Sequence, residues 1–330
     1  MSVSATLDLP KWYGSGTLSA AGSSIFTDAD GYQASLRDVL DLLVLHPQSF
    51  HAHLTWVDLP HVRLLRAQES SGRVGYLRLP PGEVLVFFVT RQGVPPVHGG
   101  LELQFGDLIW HSQNSHQRMT EASQWGSIAV TGDILDFFGR SIAGKELQSP
   151  PWPQSIRPAS ADSRNLLRLH GQAARIAETC PNRIMHPEVV RALDQDLIAL
   201  LVSCLASADA RRSNPAEETS ARVCVQFEQL LSTEPFRLLS IRELCQALGA
   251  SEQTLRASCR KVLGMGPGRY QRLRRLKLVR GELMHVGAER AKVAKIMEHY
   301  RFADLHRFVT EYWQTFGELP PLPARVTNLR

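Results

Sequence analysis

Leu239-Ser240-Ile241-Arg242-Glu243-Leu244-Cys245, followed after Gln246 and Ala247 by Leu248-Gly249-Ala250-Ser251-Glu252-Gln253-Thr254-Leu255-Arg256, decides the C-terminal fold. Ser240 precedes a stretch with Leu244 and Leu248 on one helical face, and Glu243 stands three residues after it. A serine oxygen can accept from the third backbone N–H while the glutamate reaches back, a reciprocal cap that starts a helix. Gly249 then stands where a helix end needs a left-handed residue. Ser251 caps the next helix, which turns Leu255, Cys259 and Val262 inward. Two helices joined by Gly249-Ala250-Ser251 have the outline of a helix-turn-helix. Gln253, Arg256 and Arg260 face outward in that arrangement. Arginine can grip guanine with two donors, and glutamine can do the same with adenine.

The pattern recurs. Lys292 to His299 reads as a short helix with Val293 and Ile296 inward, Tyr300-Arg301-Phe302 as the turn, and Asp304 as the cap. Residues 305–316 form an amphipathic helix holding Phe308, Tyr312 and Phe316. A helix over 268–284 joins the two units, packing Tyr270, Leu273, Leu276, Val279 and Leu283 and displaying Arg269, Arg272, Arg274, Lys277 and Arg280. At about 1.5 Å per residue it spans roughly 25 Å. With the flanking turns it can hold two helices about one DNA turn, ~34 Å, apart. A further helix over 220–232, with Val223, Phe227, Leu230 and Leu231 inward, precedes the first unit.

Charge follows this division. Residues 221–330 hold 19 Lys and Arg against 10 Asp and Glu, whereas residues 1–220 hold 18 against 22. A basic third attached to a mildly acidic remainder suggests a polyanion-binding domain joined to something else. The 330-residue length favours two domains, and 43% hydrophobic with 21% charged residues excludes a disordered or fibrous chain. The longest apolar run, Val84 to Val89, is far too short to cross a bilayer. The first thirty residues read as loosely ordered and unlike a signal peptide, so a cytoplasmic protein is expected. The five cysteines include no CxxC pair and are expected as free thiols.

The remainder is expected to be β-rich. After a helix near 34–45, residues 50–130 alternate apolar and polar positions between turn signals such as Pro80-Pro81-Gly82 and Gly99-Gly100. This texture suits an antiparallel sandwich or barrel. A short helix at 133–142 and the Pro-rich stretch 150–158 lead to helices at 162–179 and 187–207. Their stripe (Leu166, Leu169, Ala173; Val190, Leu193, Leu197, Leu201) either covers the β domain or meets a second chain. The expected divisions are a β domain over 1–158, a helical hairpin over 159–207, a linker over 208–220 and the basic domain over 221–330. The fold class is α+β.

With Leu263-Gly264-Met265-Gly266-Pro267, Arg275-Leu276, Asp304-Leu305-His306-Arg307-Phe308 and Phe316-Gly317-Glu318-Leu319-Pro320, residues 236–320 resemble the DNA-binding domain of AraC-type transcription regulators. The resemblance implies an N-terminal effector-binding or dimerising domain, cupin-like in fold, before two helix-turn-helix units. By position it implies DNA contacts from Ser251, Gln253, Arg256, Ala257 and Arg260 in the first unit. In the second it implies Leu305, His306, Arg307, Val309 and Thr310. Lys261, Arg272 and Arg274 are candidates for phosphates. This chain departs from the family at Arg301, where glycine is usual, at Met297, where alanine is, and at Cys259, where an aromatic is. Arginine in a turn that asks for positive φ implies strain or an added phosphate contact.

A cupin-like domain raises the question of a metal. His51-Ala52-His53 has the spacing of a ligand pair on one strand face, but no glutamate follows nearby. His98, His111 and His116 lack a partner at ligand spacing, so no metal and no cofactor are expected. A small-molecule cavity lined by residues such as Tyr76, Phe88, Trp110 and Trp125 is one reading of the β domain; plain core is the other. No GxSxG, P-loop or HExxH signature is present. The expected protein is a sequence-specific activator, not an enzyme. Its expected partners are duplex DNA, RNA polymerase, an unknown small-molecule effector and a second copy of itself, with no membrane. A cupin metalloenzyme with an auxiliary nucleic-acid module is the alternative.

Overall fold

The computed structural model describes residues 21–321 other than 46, 211–213, 234, 236, 287–289 and 303. The expectations for residues 1–20, for the middle of the linker and for Val293 lie outside what is described. In chain order the N-terminal part contains β1 (Ala21–Phe26), α1 (Ala29–Ser35), β2 (Val39–Val44), β3 (Ala52–Asp58), β4 (Val62–Glu69), β5 (Arg73–Leu77) and β6 (Glu83–Val89). It continues through β7 (Val97–His98), β8 (Leu101–Glu102), β9 (Leu108–His111), β10 (Ser115–Met119), β11 (Ser123–Thr131), α2 (Gly132–Ala143) and β12 (Gln154–Arg157). Helices α3 (Ser160–Thr179), α4 (Pro181–Ile184) and α5 (Pro187–Ser207) and strand β13 (Asp209–Ala210) follow. The C-terminal part is helical: α6 (Pro215–Thr233), α7 (Ile241–Leu248), α8 (Glu252–Leu263), α9 (Pro267–Val286), α10 (Arg290–His299) and α11 (Leu305–Phe316).

The strands form two antiparallel sheets, ordered β1-β3-β4-β11-β6-β9-β12-β13 and β2-β5-β10-β7-β8. Strand β6 shows why its sequence is apolar without a break. Val84, Val86 and Phe88 enter a core shared with α3 and α5, while Phe87 and Val89 enter a second core between the sheets. A strand covered on both faces has no polar face to alternate with. Each such side chain contributes about 1.5–3 kcal/mol by leaving water.

The hairpin helices resolve the choice left open by the sequence. Leu166, Ala173, Leu197 and Leu201 are fully buried against Val57, Leu64 and Ile128 of the large sheet. Their stripe covers the chain's own β domain, so Leu197 and Leu201 cannot be a seam between two copies.

Three other expectations are corrected. The helix near 34–45 is instead α1 followed by β2, because Val39-Leu40-Asp41-Leu42-Leu43-Val44 pairs with β5. The loosely ordered start ends by Ala21, where β1 pairs with β3 over six residues. The linker is shorter than 208–220, since Asp209 and Ala210 pair with β12 and α6 begins at Pro215.

The two parts share a core. Leu43 of β2 and Val74 of β5 lie among Cys224, Phe227 and Leu231 of α6, Leu244, Leu255 and Cys259 of the first unit, and Tyr270. The second unit has its own smaller core of Leu276, Val279, Leu283, Ile296, Met297, Tyr300, Phe308 and Tyr312. Helix α9 serves both. Its first half gives Tyr270 and Leu273 to the first core, and its second half gives Leu276, Val279 and Leu283 to the other.

Candidate nucleic-acid interface

The first unit is built by local bonds. Ser240 accepts from the Glu243 amide at 3.3 Å while the Glu243 carboxylate accepts from the Ser240 amide at 2.8 Å, closing the expected box. Gly249 ends α7 at φ 58, and the amides of Gly249 and Ala250 bond back to Gln246 O and Cys245 O. Ser251 then accepts from the Thr254 amide at 3.1 Å and starts α8. Its hydroxyl is also bonded to Thr254 Oγ1, so the side chain serves as a cap.

Leu255, Ser258, Cys259, Val262 and Leu263 face inward from α8. Gln253, Arg256, Ala257, Arg260 and Lys261 are all exposed on its outer side. Arg256 pairs one turn back with Glu252 at 2.7 Å, and with 45% of its side chain exposed this contact is easily exchanged for another.

The second unit repeats the turn with a different residue. Arg301 has φ 55, the single non-glycine positive φ among the described residues. Its amide bonds to Glu298 O at 2.9 Å and the Phe302 amide to Met297 O at 2.8 Å, the same ring pattern as in the first turn. The strain expected of Arg301 is therefore present; a left-handed L-residue costs about 1–2 kcal/mol. Arg275 of α9 holds this turn from beneath, donating to Tyr300 O with its guanidinium 4.7 Å from the Phe302 ring centroid. Burial, and then the neighbouring Arg272 and Arg301, lower the Arg275 pKa.

Asp304 accepts from the Arg307 amide at 3.0 Å and starts α11, which buries Phe308 and Tyr312. His306, Arg307 and Thr310 are exposed. Leu305 and Val309 are only half-exposed and pack on the second core, which limits what they can offer a base. Trp313, 52% exposed, continues the outer stripe of His306 and Thr310. Trp313 is absent from the expected contacts, although its spacing of three residues from Thr310 and seven from His306 places it on the same helical face.

The connecting helix corrects the phosphate expectation. Arg274 is largely buried: its Nε lies 2.6 Å from Glu228 Oε1, Nη1 donates to Leu231 O and Nη2 to Ser232 Oγ, each at 2.9 Å. Arg272 donates to both oxygens of Glu311. Lys277 pairs with Asp41, and Arg280 with Asp30 and Glu318. Acidic groups of the C-terminal part (Glu228, Glu311, Glu318) and of the β domain (Asp30, Asp41) thus pair with cations that the sequence seemed to offer to a polyanion. Glu228 receives Tyr270 Oη at 2.6 Å and lies 3.7 Å from His116 Nε2. Burial raises its pKa, but His116 and Arg274 outweigh that and keep it below the ordinary value. Lys261 pairs with Glu217 at 3.3 Å and remains exposed.

The pocket candidates do not converge. Phe88 packs edge-on to His170 and shares the hairpin core with Trp110. Trp125 donates to Glu69 at 2.9 Å in the core between the sheets. Tyr76 leans on His116 at the domain boundary, where His116 in turn meets Tyr270. All four are buried core residues.

The histidines rearrange as well. His51 is exposed and bonded to Ser49 O, while His53 lines a surface cleft with Arg66 and Glu178. Among the described residues no group of three or more His, Cys, Asp or Glu could hold a metal. His98 and His111, read as unpartnered, meet with their Nε2 atoms 2.7 Å apart beside Ser115. His111 Nδ1 donates to Gln113 O and His98 Nδ1 accepts from Gln117 Nε2, so His98 Nε2 donates to His111 Nε2 and each ring carries one proton. Burial takes His111 down to about 4; burial, His111 and Arg73 together hold His98 well below the usual range. Burial also pushes the Cys204 thiol up to about 12, which leaves it unreactive.

Comparison with known proteins places this geometry. Residues 244–321 match the helix-turn-helix domain family. The chain is 31% identical over 111 residues to XylDLEGF operon transcriptional activator 3 of Pseudomonas putida, a match covering 33% of this chain and 34% of that protein. It is 30% identical over 92 residues to activator 2 of the same operon and organism, covering 28% and 59%. The chain therefore spans about one third to three fifths of the length of these curated relatives. Among solved structures, the AraC-like transcriptional activator CuxR aligns over 78% of this chain and 94% of its own, at 16% identity and a TM-score of 0.44.

Proposed function

We propose that this chain, whose residues 244–321 match a helix-turn-helix domain family, is a transcription regulator of the AraC type that grips duplex DNA with α8 and α11 together. One observation carries the reading: the same left-handed turn, closed by the same two backbone bonds, occurs at Gly249 and at Arg301, each before a capped helix with a polar outer face. Helix α9, 20 residues and so ~30 Å long, sets the separation of the two units near one turn of DNA. Gln253, Arg256 and Ala257 read bases in one major-groove segment, and His306 and Thr310 read the next. Arg260 and Arg307 approach the backbone.

The finer reading is of a non-catalytic activator. A small-molecule effector bound to the β domain alters the ion pairs between β2 and α9 and so the setting of the two units. The partners are RNA polymerase and a second copy of the chain, joined elsewhere than Leu197 and Leu201, in the cytoplasm. Among the described residues no helix is long and apolar enough to cross a membrane.

Genome-wide occupancy mapping tests this. The expected result is a set of sites sharing two short motifs about 10 base pairs apart, with one motif losing its information in the Arg256→Ala protein. Occupancy without any shared motif would overturn the reading.

A further inference from the structure

We propose that the cleft between the β domain and the C-terminal end of α8 is a binding site for a small phosphate-type oxyanion. The cleft has a volume of about 700 Å³, within the range of small-molecule sites. Three cations face it: Arg118 from β10, and Arg260 and Lys261 from the last turn of α8.

Arg118 makes no hydrogen bond or ion pair among the described residues, although Glu102 is close enough to act on its charge. The arginine's Nε is buried, and burial lowers its pKa. The side chain lies across Gly264, where a Cβ would come within 2.8 Å of Arg118 Cδ. Gly264, at φ 73, therefore both ends α8 and admits this arginine.

Arg260 has no ion pair among the described residues, and the exposed Lys261–Glu217 contact at 3.3 Å is readily displaced. Glu102 and Glu217 also line the cleft, leaving one positive charge in excess. Asn214 brings the first turn of α6, the positive end of its dipole, to the same wall. A half-buried guanidinium whose Nε lacks a partner, beside an arginine with no ion pair among the described residues and a weakly held ammonium, is the donor set that a compact oxyanion satisfies.

Such an anion would tie β10 to the end of α8. It would also compete with the DNA backbone for Arg260 and Lys261. The regulatory consequence rests on the function proposed above; the binding itself does not.

Thermal melting of the full chain, titrated with inorganic phosphate and with pyrophosphate at ionic strength fixed by sodium chloride, tests the site. A saturable rise of roughly 3 °C at tenfold excess over Kd is expected. It should vanish in Arg118→Gln and in the exposed variant Arg260→Gln, and persist in Arg269→Gln. If no rise occurs but Arg118→Gln lowers the salt slope of DNA binding by about one, the oxyanion is a backbone phosphate and the site stands. If neither happens, the site is refuted. A protein that takes up pyrophosphate saturably yet retards no duplex would end the regulator reading and leave the site in place.

Discussion

The two helix-turn-helix units use one backbone plan in different surroundings. The first turns on Gly249, and its core continues into the β domain through Leu43 and Val74. The second turns on Arg301 and packs on a core drawn from α9, α10 and α11. The first is thus tied to the β domain through shared apolar contacts. The second is joined to the β domain chiefly by charge, as in Arg280–Asp30. A packed core transmits strain in a way that exposed ion pairs do not.

This contrast predicts how the units fail. Phe308→Ala should cost about 3–5 kcal/mol and melt the second unit alone. Leu255→Ala, at about 2–5 kcal/mol, should lower the melting of the first unit and the β domain together. Amide exchange distinguishes them; a single cooperative unit in both variants would break the comparison. Arg274→Gln removes a partner from the buried Glu228 and should cost about 3 kcal/mol of stability. The salt slope of DNA binding should stay unchanged, whereas a slope lowered by one would return Arg274 to the phosphates. Arg256→Ala should cost about 1–3 kcal/mol on a cognate site, and His306→Ala under about 1 kcal/mol, by titration against single-base variants. Equal losses would make the units equivalent readers.

The turns themselves form a controlled pair. A Cβ at Gly249 meets nothing within 4 Å, so Gly249→Ala isolates the cost of φ, about 1–2 kcal/mol. Arg301→Gly should stabilise by up to about 1 kcal/mol. If it destabilises instead, the arginine side chain supports the turn. Lastly, the amide and hydroxyl of Ser240, with Arg237, hold the Glu243 carboxyl at about 2. A depressed acid contributes above its unfolded value, ~4.3, and loses that contribution as pH falls toward 2. Carboxyl NMR should find that midpoint; one near 4.3 would show the cap open in solution.

What the sequence made legible was local. Ser240, Gly249, Ser251, Asp304 and even the strain at Arg301 follow from bonds spanning three to five residues, which spacing alone encodes. The outward faces of α8 and α11 followed too, apart from Trp313. What failed depended on distant partners. Arg274 looked available because nothing in its neighbourhood announces Glu228 or Asp41. His98 and His111 looked solitary because their meeting depends on how β7 and β9 are brought together. Val39 to Val44 read as helix because its partner, β5, begins 29 residues later. The stripe on α3 and α5 gave the correct face but not its neighbour.

Hydroxyl-radical footprinting of the full chain on an occupied site tests the twin-unit geometry most directly. Two protected stretches centred about 10 base pairs apart on one face of the duplex are predicted, with Arg256→Ala erasing one and sparing the other. A single protected stretch, or two on opposite faces, would contradict it.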